Sequence, residues 1–146
     1  MKIILLLIVI ALCIFLLFLF LYRGEAKFAT LAIKGKTIHT EIADTVAKRT
    51  HGLSGRSGLG ENEGMFFIFD TSGIRPFWMK DMKFSIDIIW ITGNRVVGFE
   101  ENVEPPSGFD IPTYNPPEAI DRVLEVPAGT VKLLGIQKGD VIELTQ

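Results

Sequence analysis

Cysteine is almost absent from this chain of 146 residues: Cys13 stands alone. No disulfide can form within the chain, so cysteine usage says nothing about redox compartment. Cys13 also lies inside an apolar segment, which leaves no cysteine nucleophile for a domain in water. Histidine is nearly as scarce. His39 and His51 fall in different elements without a ligand-spaced partner, so no metal site is assigned. Positive charge is lacking too. Beyond Arg23 the chain carries 13 basic against 17 acidic residues. A nucleic-acid partner would need a dense basic face to displace phosphate counterions, and none is expected. The glycines match neither phosphate-loop nor dinucleotide spacing, and Arg56 breaks the nucleophile-elbow pattern around Ser54. No cofactor is implied. There is no internal repeat.

The chain does have one long apolar run, Ile3 to Tyr22, interrupted by no charge. Twenty helical residues extend about 30 Å, the thickness of a bilayer's hydrocarbon core. Residues 1–23 are therefore read as a transmembrane helix, an anchor or uncleaved signal, and residues 24–29 as a polar tether. Cleavage near Ala26, giving a secreted or periplasmic domain, is the competing reading. Modification at Cys13 is disfavoured because Leu12 is not small. The expected location is the cell membrane, single-pass, with the domain extracytoplasmic. The basic residues Arg23, Lys27, Lys34 and Lys36 after the span oppose that orientation.

Residues 30–146 read as a single β-rich domain. Thr30–Ile33 and Thr37–Ile42 are β-prone runs joined at Lys34-Gly35-Lys36. Asp44 is the expected N-cap of a short helix over Thr45–Leu53. A glycine-rich loop spans Gly52–Gly64. Met65–Phe69, apolar at every position, is the pattern of a strand covered on both faces, and Asp70–Gly73 a turn. In the strand Phe84–Ile91, Ile86, Ile88 and Trp90 share one face, and Asp87, Ile89 and Ile91 the other. A turn at Thr92-Gly93-Asn94 leads into Arg95–Val103. A proline-rich loop covers Glu104–Glu118, long enough to suggest function. Val123–Val126, a short helix near Ala128–Leu134 and Val141–Leu144 complete the chain. Many short strands with one or two short helices suggest a small β-sandwich or partly closed barrel, with an open α+β sheet as the runner-up.

Several strings occur in order. They are Ile-Ala-Asp-Thr-Val-Ala-Lys-Arg-Thr-His-Gly-Leu (42–53), Glu-Gly-Met-Phe-Phe-Ile-Phe (63–69) and Arg-Pro-Phe-Trp-Met-Lys-Asp-Met (75–82). Ile-Asp-Ile-Ile-Trp-Ile (86–91), Val-Leu-Glu-Val-Pro-Ala-Gly (123–129) and Gly-Ile-Gln-Lys-Gly-Asp (135–140) follow. Together they resemble the family called domain of unknown function 192, from about Ile33 onward. The resemblance implies a compact β-rich fold, often behind a signal or anchor, and no established reaction. Arg49, Gly52, Leu53 and Arg56 fall on its motif positions, as do Gly64, Met65, Phe77, Trp78 and Met79. Asp87, Glu125, Gly129, Gly139 and Asp140 follow suit. Ser54 departs from the family's usual Met, and Asp81-Met82 from its usual Asn-Thr.

Two carboxylates attract attention because they sit among apolar neighbours: Asp87 and Glu125. Each needs a cation and donors, or must take up a proton. Arg49, Arg56, Arg75 and Lys80 are candidate partners for Asp87. If both carboxylates faced one cavity, they could divide acid and base roles. The bland reading of each is a structural contact. Trp78 beside Lys80 suggests a stacking platform; the bland reading puts Phe77 and Met79 in the core with Trp78 as cover. Arg49 and Arg56 could grip an anion. Phe109 and Tyr114 could cap a pocket.

The expected ligand-binding set is thus Arg49, Arg56, Trp78, Lys80, Asp87 and Tyr114, with Asp87 and Glu125 as weak catalytic candidates. Three functions compete. The first is a membrane-tethered module binding a small polar ligand or saccharide. The second is a structural or partner-binding accessory of a membrane complex. The third is an envelope-sugar hydrolase or lyase.

Overall fold

The computed structural model describes residues 2–21, 26–108 and 110–145. Helix α1 (Lys2–Leu21) precedes strands β1 (Phe28–Ile33) and β2 (Lys36–Ala43), helix α2 (Val46–His51) and strands β3 (Glu63–Gly73) and β4 (Phe77–Trp78). Strands β5 (Ile86–Thr92), β6 (Arg95–Val103), β7 (Thr113–Tyr114) and β8 (Ile120–Pro127) follow, then helix α3 (Thr130–Leu134) and strand β9 (Glu143–Thr145).

Seven strands make one mixed sheet in the order β6-β5-β8-β3-β2-β1-β9, and β4 pairs with β7 as a separate ribbon. The β1–β2 hairpin turns at Lys34-Gly35, both with positive φ (52° and 76°), the backbone that matches a hairpin's twist. β2 and β3 run parallel. Parallel neighbours need a crossover rather than a hairpin. Residues 44–62 supply it, carrying α2 and the glycine-rich loop. The N-cap of α2 is Thr45, not Asp44: the Thr45 hydroxyl accepts from the Lys48 amide, and Asp44 binds Lys27 instead. The expected turn at Asp70–Gly73 is the continuation of β3.

The β-rich expectation holds, but neither a two-sheet sandwich nor a closed barrel forms among the described residues. The reason lies in the central strands. Six of the seven residues of β5 are buried, so both of its faces need cover. On one face Val131 of α3, Ile136 and Ile142 pack over Leu31, Phe66, Ile89 and Leu124. On the other, Leu53 and Met79 pack over Phe67, Ile88, Trp90 and Val123, with Phe77 against them. Helix, crossover and ribbon thus do the work of a second sheet. β6 meets the segment just ahead of β9 at one bridge, Arg95–Val141, backed by bonds from the Ile142 amide to the Asn94 carbonyl (2.8 Å) and from the Val96 amide to the Asp140 carbonyl (2.9 Å). The sheet curls without closing.

Gly64 lets β3 approach β8. A Cβ there would lie 2.7 Å from the carbonyl oxygen of Glu125, closer than real Cβ contacts reach.

The expected membrane span coincides with α1, 20 residues long. Its described side chains are Lys2 and residues 8–17, all exposed. Among the described residues no helix is long and apolar enough to cross a membrane. The remaining side chains of the expected span, and Tyr22–Glu25 at its junction with the tether, lie outside the described residues. So does Phe109.

Candidate functional site

The site is built on the face of the sheet that the crossover and the ribbon cover. In Phe77-Trp78-Met79 the side chains alternate. Met79 is fully buried, Phe77 is partly buried, and Trp78 is 50% exposed. Phe77 is a packing hub, with its ring edge-on to Phe67 (5.0 Å between centroids) and Trp90 (5.4 Å). This puts Trp78 outward at the rim of a cavity of about 470 Å³. The cavity lies between α2, the end of β3 and β4. Phe67, Phe69 and Phe77 supply apolar wall, and Arg49, Arg75 and Glu125 supply polar groups.

Arg49 joins two elements. Its Nη1 donates to the carbonyls of Asp44 and Ile68, both at 2.8 Å. Its guanidinium lies 5.0 Å from the centroid of the Phe69 ring, and that of Arg75 lies 4.9 Å from the same centroid. Arg75 uses Nη2 on the carbonyl and hydroxyl of Thr71, while its Nε is buried without a hydrogen-bond partner.

Glu125 is 5% exposed and lines the same cavity. Its partners across the sheet are Met65 on β3 and Ile88 on β5, neither able to hydrogen-bond a carboxylate. No hydrogen bond reaches its carboxyl from the described residues. Burial pushes its pKa up to about 8, against a weaker opposing pull from the Arg56 guanidinium. Glu125 is therefore a neutral acid at pH 7, with an O–H to donate.

Asp87 is on the opposite side of the sheet. It pairs with Val126 while Glu125 pairs with Ile88, and its strand neighbour of like parity, Ile89, belongs to the other core cluster. The two carboxylates cannot share a cavity, and the acid–base pair expected between them is not formed. None of Arg49, Arg56, Arg75 and Lys80 pairs with Asp87. Its oxygens accept from the amides of Asn102 (2.8 Å), Gly129 (3.1 Å) and Val131 (2.8 Å). These contacts fix the start of α3 and the end of β6, which is the structural role.

The other expected residues are spread around the cavity. Arg56 is paired with Glu41 at 2.5 Å and acts on Glu125 through charge alone. Lys80 lines a shallow neighbouring depression shared with Trp78 and His51. Tyr114 pairs with Phe77 in the ribbon, supporting the wall from behind. Arg75 and Phe69 were not in the expected set. Their signal was the pair of cations flanking an aromatic segment, but only the fold brings Arg49 and Arg75 to one ring. Among the described residues no group of three His, Cys, Asp or Glu is placed to hold a metal.

Two of the three departing residues, Asp81 and Ser54, have a local structural explanation; Met82 has none. Asp81 has φ of 58°, a left-handed conformation that Asn and Asp tolerate best. Its carbonyl accepts from the Gly55 amide, and Ser54 Oγ donates to the Lys80 carbonyl (2.8 Å). Together they tie the glycine-rich loop to the segment after Trp78.

The profile of the family DUF192, an uncharacterised ACR, matches residues 29–144. The chain belongs to the DUF192 family. It is similar to a UPF0127 protein of Thermococcus gammatolerans, 31% identical over 110 residues, covering 71% of this chain and 65% of that protein. A UPF0127 protein of Thermococcus kodakarensis is 30% identical over 117 residues, covering 77% of this chain and 69% of the relative. The matched region thus spans about two thirds of these relatives' length. A crystal structure of a Novosphingobium aromaticivorans protein of unknown function has a TM-score of 0.75 at 28% identity, covering 84% of this chain and 89% of that one. A Sinorhizobium meliloti protein, provisionally designated a transcription regulator, has a TM-score of 0.76 at 27% identity, covering 84% and 97%.

Proposed function

We propose that this DUF192 domain is a membrane-tethered, extracytoplasmic module that binds a small polar ligand, a saccharide included, in the cavity beneath Trp78. One observation carries the reading: the nearly buried carboxyl of Glu125 opens into a cavity and takes no hydrogen bond from the described residues. A ligand that bonds this carboxyl supplies a contact that no described residue makes. The half-exposed Trp78 and the phenylalanine wall give a ligand ring a face to stack on. The uncharged apolar run Ile3–Tyr22 of the sequence supports the tether.

The test is a fluorescence titration of the full chain in detergent micelles with a panel of sugars, organic acids and nucleotides. Trp78 sits at the rim and Trp90 is fully buried, so a ligand in the cavity changes the exposed component of the emission. Because Trp78 is itself the reporter, Trp78→Ala is followed by calorimetry, and heat of binding that disappears in it supports the site. A flat panel on a folded protein rejects it.

The accessory reading has its own supporting observation. Phe28 and Leu144 are 72% and 67% exposed at a cavity that Leu31, Phe66, Ile91 and Ile142 also line. Exposed apolar side chains grouped in this way are a common mark of a protein contact.

A further inference from the structure

We propose that the ligand of the Trp78 cavity is a ring-bearing carboxylate, gripped by Arg49 and Arg75 beside Glu125. This rests on the binding reading above and names the chemistry of its ligand.

The charge arrangement leads to it. Arg49 and Arg75 lie within 5.0 Å of one Phe69 centroid, so two guanidinium groups share one aromatic ring. Among the described residues neither is in an ion pair; the salt bridges of this domain involve Lys27, Lys34, Lys36, Arg56, Arg122 and Lys138. Both also line the same cavity, so an anion seated there faces two positive charges that no described carboxylate neutralises. Both have donors left over. The bonds of Arg49 leave from Nη1 and those of Arg75 from Nη2, and the Arg75 Nε is buried and unpartnered. The planar fork of a guanidinium matches the two oxygens of a carboxylate.

Glu125 adds selectivity. In its acid form it donates a hydrogen to a ligand carboxylate. In its ionised form it would repel one. Burial keeps it in the acid form at neutral pH. The groups around it are few. Met65 and Ile88 on the adjacent strands carry no charge, Arg56 is neutralised by Glu41, and the cavity adds Arg49, Arg75, His51 and the exposed Asp70. With Glu125 neutral, the arginines outnumber the acid. The ring requirement comes from Phe67, Phe69, Phe77 and Trp78, and a cavity of about 470 Å³ suits a single ring rather than an oligomer.

Aromatic acids and sugar acids share this chemistry. The experiment separates them: titrate the full chain in micelles with benzoate, glucuronate, and the neutral benzyl alcohol and glucose, reading tryptophan emission. The carboxylates should bind at least about tenfold tighter than their neutral counterparts. Benzoate alone would identify an aromatic acid, and glucuronate alone a sugar acid; each supports the proposal. Carboxylate affinity should fall about tenfold between pH 7 and pH 9 as Glu125 ionises. That fall should persist in His51→Gln and vanish in Glu125→Gln. Arg75→Gln, whose bonds are local to Thr71, should weaken carboxylates about tenfold and leave the melting temperature in place. Equal binding of glucose and glucuronate overturns the carboxylate assignment while the pocket stands. A pH fall that survives Glu125→Gln overturns the role given to Glu125. No binding by any of the four overturns the carboxylate proposal, and the wider panel above then decides the pocket itself.

Discussion

At the scale of single residues, Glu125 has a cost that can be measured. Its folded-state pKa is raised from 4.5 to about 8 by burial. Below pH 4.5 both folded and unfolded chains hold the proton, and no penalty exists. Between pH 4.5 and 8 the unfolded chain releases it and the folded one keeps it, so stability falls as pH rises. Above pH 8 the loss is complete. At pH 7 linkage puts the penalty at up to roughly 3 kcal/mol. Glu125→Gln should therefore melt higher than the parent at pH 7 and match it at pH 4, as thermal unfolding across that range would show. Equal pH profiles would mean that the carboxyl is not held neutral. The neighbours Phe77 and Trp78 make a second contrast. Phe77→Ala removes a hub ring and should cost about 3 kcal/mol in denaturant unfolding. Trp78→Ala removes a half-exposed rim residue and should cost less than about 1 kcal/mol while weakening ligand binding measured by calorimetry.

At the scale of elements, Asp87 holds the start of α3 by two amide hydrogen bonds and the end of β6 by a third. Asp87→Asn puts an NH₂ group where an acceptor is needed. It should lower stability by about 1.5–3 kcal/mol, seen as a lower urea midpoint with an unchanged slope. Hydrogen exchange at the Val131 amide should quicken, while ligand binding at Trp78 stays, since the two lie on opposite faces. The sequence made part of this legible. Period-two alternation placed Ile86, Ile88 and Trp90 on one face and Asp87 on the other, and Lys34-Gly35 marked the first hairpin, because both signals are local. The register that sets Glu125 against Ile88 is not local. Nothing in either strand alone says which residues face each other, and a slip of one would reverse the faces. The same holds for Arg49 and Arg75. They meet at Phe69 because the crossover returns α2 beside β3, a consequence of parallel pairing that no short motif announces. The sandwich expectation failed for a related reason: strand spacing reveals how many strands there are but not whether helix or sheet covers them.

At the scale of the whole molecule, the proposed tether predicts a partition. The full chain should stay with the membrane pellet through an alkaline carbonate wash, and a chain lacking residues 2–21 should leave it. Release of the full chain by carbonate would remove the anchor reading and leave the cavity untouched. Tethering also alters what a modest affinity can achieve. A module confined near a surface meets ligands released there at a raised effective concentration, so tight binding is not required.

The pairing of β9 with β1 has a further consequence, for the order of events in folding. Thr30 is matched with Thr145 and Leu31 with Leu144. A nascent chain must extend past residue 143 before the first strand gains its second neighbour. Until then β1 has one bare edge. Contacts so distant along the chain form late and slow the final step. An N-terminal helix caught early by a membrane would hold β1 in place while the rest of the sheet arrives. The last strand would then act as a latch, closing over Thr30, Leu31 and Ala32 only when the rest of the domain has been made.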